Sequence, residues 1–85
     1  MNETEFLDEL IGVTGSIDHT GQVTARQFTW RGQTHSITGT GRQWESEAGR
    51  HILVETGGGD RFELHLSRAD LCWHLVRAWH GVAVA

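Results

Sequence analysis

Phe62, Leu64 and Leu66 alternate along one short run, and Trp73, Leu75 and Trp79 follow along the next. A two-residue period puts such side chains on one face of a β-strand. If Ser67 faces Cys72 across a loop of Arg68 to Leu71, then Leu66 meets Trp73, Leu64 meets Leu75, and Phe62 meets Arg77. Slipping this register by one residue would turn every large side chain to the wrong face, so the pattern specifies its own pairing. A helix competes for the second run, because Ser67 and Asp70 resemble a cap and Leu71, Leu75 and Trp79 are spaced by four. It offers no comparable set of matched partners, so an antiparallel hairpin is expected. Arg77, on the apolar side opposite Phe62, then points to the rim of a barrel rather than its centre.

The rest of the chain carries the same punctuation of short apolar runs and turns. Residues 23–30 end in Phe28 and Trp30, which share a face, and Arg31-Gly32 makes a tight connection. Residues 33–39 return with Ile37 as the core candidate. Gly39 and Gly41 mark a bulge or bend on the way to Trp44. After a polar stretch over residues 45–49, Ile52 to Val54 form a short buried strand, stopped by Gly57-Gly58-Gly59. That glycine run lacks the Gly-Lys-Ser/Thr ending and following helix of a phosphate loop, and is expected to be a hairpin turn. Asp18 to Gly21 is a further turn. Near the start, Phe6, Leu7, Leu10 and Ile11 group on one face of a short helix over residues 4–11, capped by Asn2 or Thr4. Ile11, Val13, Gly15 and Ile17 alternate as a strand would, so helix passes into strand near Gly12. Residues 81–85 are small and apolar, fit to extend the last strand or close a barrel edge. The expected fold is mainly β, a small antiparallel barrel or curled sheet of about five to six strands with a short N-terminal helix.

Eighty-five residues make one domain with a thin core, and four Trp and three Phe supply much of its apolar area. So thin a core leaves room for a homodimer through a sheet edge or the apolar tail. The net charge of −4 is concentrated in Glu3, Glu5, Asp8 and Glu9; beyond them seven acids balance seven Arg. The acidic segment 1–9 is expected to be a solvated helix start or frayed arm. A neutral body without basic runs argues against non-specific duplex binding, which needs many phosphate contacts. The lone Cys72 offers no internal disulfide. No apolar stretch approaches the roughly 18 residues of a membrane span, and the acidic N-terminus does not resemble a signal peptide. A cytoplasmic protein without membrane contact is the expectation.

Three constellations bear on chemistry. The C-terminal register makes His65 and His74 direct cross-strand neighbours on the outer face, with Cys72 on the same side. Two imidazoles so placed are near enough to share a zinc ion. Paired Cys or His at short, repeated spacings are missing, however, so exposed imidazoles are the plainer reading and no metal or cofactor is assigned. Cys72 with His74 lacks an orienting third group and an oxyanion hole, and no catalytic residue is assigned. Glu45 and Glu47 fall in a polar loop, while Glu55 and Glu63 are expected to answer Arg residues across the sheet. The best interaction candidates are Trp30, Arg31, Arg42 and Trp44, since Trp and Arg combine large contact area with directional donors. The same residues suit stacking of single-stranded bases, or a core whose Trp edges are covered by Arg.

Phe28-Thr-Trp-Arg-Gly32, then Trp44, Val54-Glu-Thr-Gly-Gly58, Phe62-Glu-Leu64 and Trp73-His-Leu-Val-Arg77-Ala-Trp79 resemble the pattern of an uncharacterised family of small bacterial proteins. That pattern reads Phe-x-Trp-Arg-Gly, Trp, a Gly turn with an aromatic-Glu-Leu strand, and Trp-x-Leu-x-Arg. The likeness spans roughly residues 26–80. It departs at His35, where the family usually has Tyr, and in a longer N-terminal segment. The resemblance implies an all-β fold of paired hairpins. It also implies a role accessory to DNA repair or replication, because such genes often neighbour those of error-prone DNA polymerases. It carries no functional residue over. Three functions follow as expectations: a non-enzymatic module binding a protein partner, a single-stranded nucleic-acid binder, or a small metal-binding protein using His65, His74 and Cys72.

Overall fold

The computed structural model describes residues 3–80. Six strands follow one another: β1 (Glu3–Ile17), β2 (Val23–Trp30), β3 (Gln33–Ser46), β4 (Gly49–Thr56), β5 (Arg61–Ser67) and β6 (Trp73–His80). Each pairs antiparallel with the next, and β1 returns to β6, so the sheet closes into a barrel. The reading of residues 81–85 as a strand extension lies outside the described residues.

Closure depends on two long strands that each serve two neighbours. β1 pairs with β6 over Glu3–Ile11 and with β2 over Gly12–Ile17. β3 pairs with β2 over Gln33–Ser36 and with β4 from Ile37 onward. Where β3 leaves β2, the Gln43 side chain stands in for backbone. Its Oε1 accepts from Val23 N at 2.9 Å, and its Nε2 donates to Val23 O at 2.6 Å. Gln43→Ala removes both bonds from a half-buried site and is expected to cost about 1–3 kcal/mol. A fall in the urea midpoint, with amide exchange quickened at Val23, checks this.

Residues 4–11 are strand, not helix. As a helix, Phe6, Leu7, Leu10 and Ile11 would all need cover, and eight residues cannot hold a helix without it. As strand, Leu7, Ile11 and Val13 pack against the core, while Phe6 and Leu10 face outward. The backbone of β1 meanwhile gains partners in both β6 and β2.

The core consists of Val23, Ala25, Phe28, Trp30, Ile52, Val54, Phe62, Leu64, Leu75 and Ala78. Leu66 faces Trp73 and Leu64 faces Leu75 as the alternation requires, and Ser67 N donates to Cys72 O at 2.9 Å. Beyond Leu64 the register shifts, and Phe62 faces Ala78 instead of Arg77. Val76 is the extra residue of this bulge. Without it, the Arg77 guanidinium would be driven against Phe62 in the barrel interior. With it, Ala78 fills the small space beside Phe62, and Arg77 and Trp79 turn outward. The glycine run is the β4–β5 turn, with Gly59 N donating to Thr56 O. Gly39 and Gly41 lie at register shifts within the β3–β4 ladder.

Candidate interaction surface

The four aromatic and Arg candidates separate into two places. Trp30 is core, 9% exposed. Its Nε1 donates to Glu9 Oε1 at 3.0 Å, and Arg31 lies over its ring at 4.4 Å while pairing with Glu9 Oε2 at 2.7 Å. Trp30 and Arg31 therefore form a clasp between the β2–β3 turn and β1. Trp44 and Arg42 stand on the outer face, with the Arg42 guanidinium 5.3 Å from the Trp44 ring centre.

From Glu3 to Glu9 the acidic segment is strand, neither a helix nor a frayed arm. Glu5 bonds to His80 Nε2 at 2.5 Å, and Asp8 Oδ1 lies 2.9 Å from His74 Nδ1. The latter contact is close enough for ion pairing but off hydrogen-bond alignment, since Nδ1 has no hydrogen-bond partner. Carboxylates of β1 thus meet imidazoles of β6 along the closing seam. Arg31, and then the Trp30 indole, hold the Glu9 carboxyl below its ordinary value. The Thr20 hydroxyl and the Gln22 and Thr20 amides do the same for Asp18 in its turn. The Cys72 amide and His74 lower Asp70. A carboxyl depressed by folding contributes stability above its unfolded pKa and loses it as pH falls through the folded value. The urea midpoint should therefore drop as pH falls below about 4, and Glu9→Gln should flatten that decline. An equally steep decline in the variant would remove Glu9 from the account.

On the outer face, ladder pairing aligns Trp44 with His51, His51 with His65, and His65 with His74. Trp44 and His51 are stacked at 5.0 Å and 3°, His51 and His65 at 4.3 Å and 3°, and His65 and His74 are tilted at 6.2 Å. His51 is anchored at both ring nitrogens, to Ser46 Oγ at 2.8 Å and Glu63 Oε2 at 3.0 Å. Glu63 is only 5% exposed and receives Arg77 at 2.8 and 2.6 Å. Arg77 in turn lies 4.8 Å over Trp79. The sequence brought out His65, His74 and the pairing of Glu63 with an Arg across the sheet, here Arg77, but not His51 or Trp79 as parts of this layer. The alternation of His51 with Ile52 was the available signal.

His65 and His74 are the neighbours the register implies, yet their geometry does not favour a metal. His65 is packed face to face with His51, and His74 Nε2 is taken by Asp70 at 2.9 Å. The Cys72 thiol donates to Asp70 O at 3.4 Å. Among the described residues no group of three or more His, Cys, Asp or Glu is placed to hold a metal ion.

Beside the ladder, the outer face dips into an open groove of about 540 Å³ bordered by Gly39, Gly41, Leu53, Glu55, Arg61 and Trp79. Its floor follows from the glycines. A Cβ at Gly39 would stand 3.5 Å from Glu55 Oε2, and one at Gly41 would stand 3.6 Å from Leu53 Cβ, so side chains there would fill it. Arg61 and Glu55 pair at 3.4 Å on the rim, both well exposed.

The fold and surface define a small, closed, six-stranded antiparallel barrel with an ordered polar layer and a groove outside it. No protein-family model matches the chain, and no curated protein or solved structure matches it either. No helix among the described residues is long and apolar enough to cross a membrane.

Proposed function

We propose that the barrel is a non-enzymatic protein-binding module that takes a segment of its partner into the groove beside Trp79. The groove carries this reading: an apolar floor, opened by Gly39 and Gly41, lies next to a tryptophan and a rim bearing both charges. Such a rim suits a polypeptide better than a polyanion. Arg61 is already neutralised by Glu55, and single-stranded nucleic acid needs several phosphate contacts and free ring faces. Trp44 has His51 on one side and Arg42 nearby, and Trp30 is interior. The metal reading has less support, given the engagement of His74 and Cys72 with Asp70. The resemblance of residues 26–80 to a family of small bacterial proteins suggests a partner in DNA repair or replication.

Capture from native lysate, followed by mass spectrometry, tests the reading with wild type and Trp79→Ala side by side. A repair or replication protein retained by wild type and lost by a folded Trp79→Ala variant is the expected result. Identical recoveries by both would end it. A short oligonucleotide titrated at low and moderate salt should show no saturable binding.

A further inference from the structure

The two long strands each run past one of their neighbours and leave a length of edge without a ladder partner: Ile37–Ser46 of β3, where the Gln43 side chain reaches back to Val23, and Glu3–Ile11 of β1. Glu3–Ile11 of β1 pair with β6 alone, because pairing with β2 begins only at Gly12. Alternate N–H and C=O groups along Thr4–Leu10 therefore point away from β6, toward a side where the described residues supply no strand. Chains commonly blunt such an edge with charge, a bulge or cover, since bare backbone is a template for another strand. β1 has a bulge at Leu7–Asp8, but on its β6 side.

The outward side chains along this edge are not those of a fully protected strand. Phe6 is 77% exposed and Leu10 67%, and between them stands Asp8, itself 79% exposed. Neither Phe6 nor Leu10 belongs to the core or packs against it. Their exposure has no role in holding the barrel together.

Charge identifies the occupant. Four acids lie on this stretch and account for the whole net charge of −4, the remaining acids and Arg being equal in number. A second copy pairing edge to edge would bring Glu5, Asp8 and Glu9 against their own counterparts, which disfavours self-association. A cationic segment meets the opposite situation. Its backbone can complete the open hydrogen bonds, a basic side chain can approach the 79% exposed Asp8 while Glu5 and Glu9 stay with His80 and Arg31, and its alternate apolar side chains can cover Phe6 and Leu10.

We propose that the N-terminal half of β1 accepts a basic, extended partner segment as an added strand. This site is distinct from the groove: it is a backbone edge on β1, whereas the groove lies on the face formed by β3 to β6.

Synthetic ten-residue peptides test it on the full chain. One alternates Arg with Val, a second alternates Glu with Val, and a third is the basic peptide with its two central valines replaced by proline. The basic peptide should bind at low salt at least about tenfold more tightly than the other two, a difference of about 1.4 kcal/mol. Hydrogen exchange should slow at alternate amides within Thr4–Leu10. Phe6→Ser and Leu10→Ser should weaken binding several-fold at unchanged melting temperature, and Trp79→Ala should leave it intact. Equal binding of the proline-bearing peptide would reduce the effect to charge alone and overturn the proposal. No binding, or protection confined to the groove, would also overturn it. Sedimentation showing a dimer built through β1 would assign the edge to a second copy instead.

Discussion

Phe28→Ala is expected to lower the unfolding free energy by about 3–5 kcal/mol, the usual cost of emptying a well-packed aromatic site. Phe28 is fully buried. It stacks on His35 at 5.0 Å and 19° and meets Phe62 edge-on at 5.0 Å. The site cannot easily collapse, because Phe62 also contacts Trp30, His35 and His80 in the same end of the barrel. A chain of this size has a total stability of only about 4–13 kcal/mol, so the loss is a large share of the whole. At about 4–8 °C per kcal/mol, the melting temperature should fall by at least about 12 °C, read by near-ultraviolet circular dichroism. A loss below about 1 kcal/mol would mean that this aromatic cluster is not the centre of the core.

That cluster was partly legible in the sequence. Phe28 and Trp30 share a face by simple alternation, and the C-terminal runs fixed Leu66 against Trp73 and Leu64 against Leu75. Alternation fails wherever a residue is inserted. Nothing at Val76 advertises a bulge, since neither glycine nor proline marks it, and the predicted apposition of Phe62 and Arg77 was therefore displaced. The consequence reaches the surface: the same inserted residue turns Trp79 out to the groove. Gly39 and Gly41 did advertise their irregularity, but not that their missing side chains open a surface. Trp30 and Trp44 look alike in sequence, and only the pairing separates an interior clasp from an outer ladder.

The N-terminal segment was misread for a different reason. Its apolar spacing satisfies a helix period locally, while the partners that decide for a strand are distant. Glu5 reaches His80, 75 positions away, and Glu9 reaches Arg31, 22 positions away. Carboxylates whose counter-groups lie on other strands look unpaired in one dimension. The surplus acids were correctly seen as the source of the net charge; that Glu5 and Asp8 meet imidazoles along the closing seam, and Glu9 the β2–β3 turn, depends on tertiary structure alone.

Gly49→Ala should be comparably damaging, although it adds a single methyl group. Gly49 has a φ of +143°, where side chains are strained, and its new Cβ would fall 2.0 Å from Leu66 O and 3.1 Å from Arg68 N and His65 Nε2. Two of these three neighbours are backbone and cannot swing aside. The chain there is further fixed by the bond from Arg68 N to Ala48 O at 2.8 Å, which ties the β3–β4 turn to the end of β5. Backbone strain of about 1–3 kcal/mol and overpacking of about 1–3 kcal/mol act together, so a loss near about 4 kcal/mol is expected. Gly58→Ala is the control, because a Cβ there meets nothing within 4 Å. Urea midpoints for the two variants should differ widely, and His51 and His65 ring resonances should shift in Gly49→Ala as the turn pulls away from β5. If the two variants melted alike, the close approach of Gly49 to Leu66 would be wrong. The stacked Trp44–His51–His65 layer would then lack the backbone contact that sets its spacing.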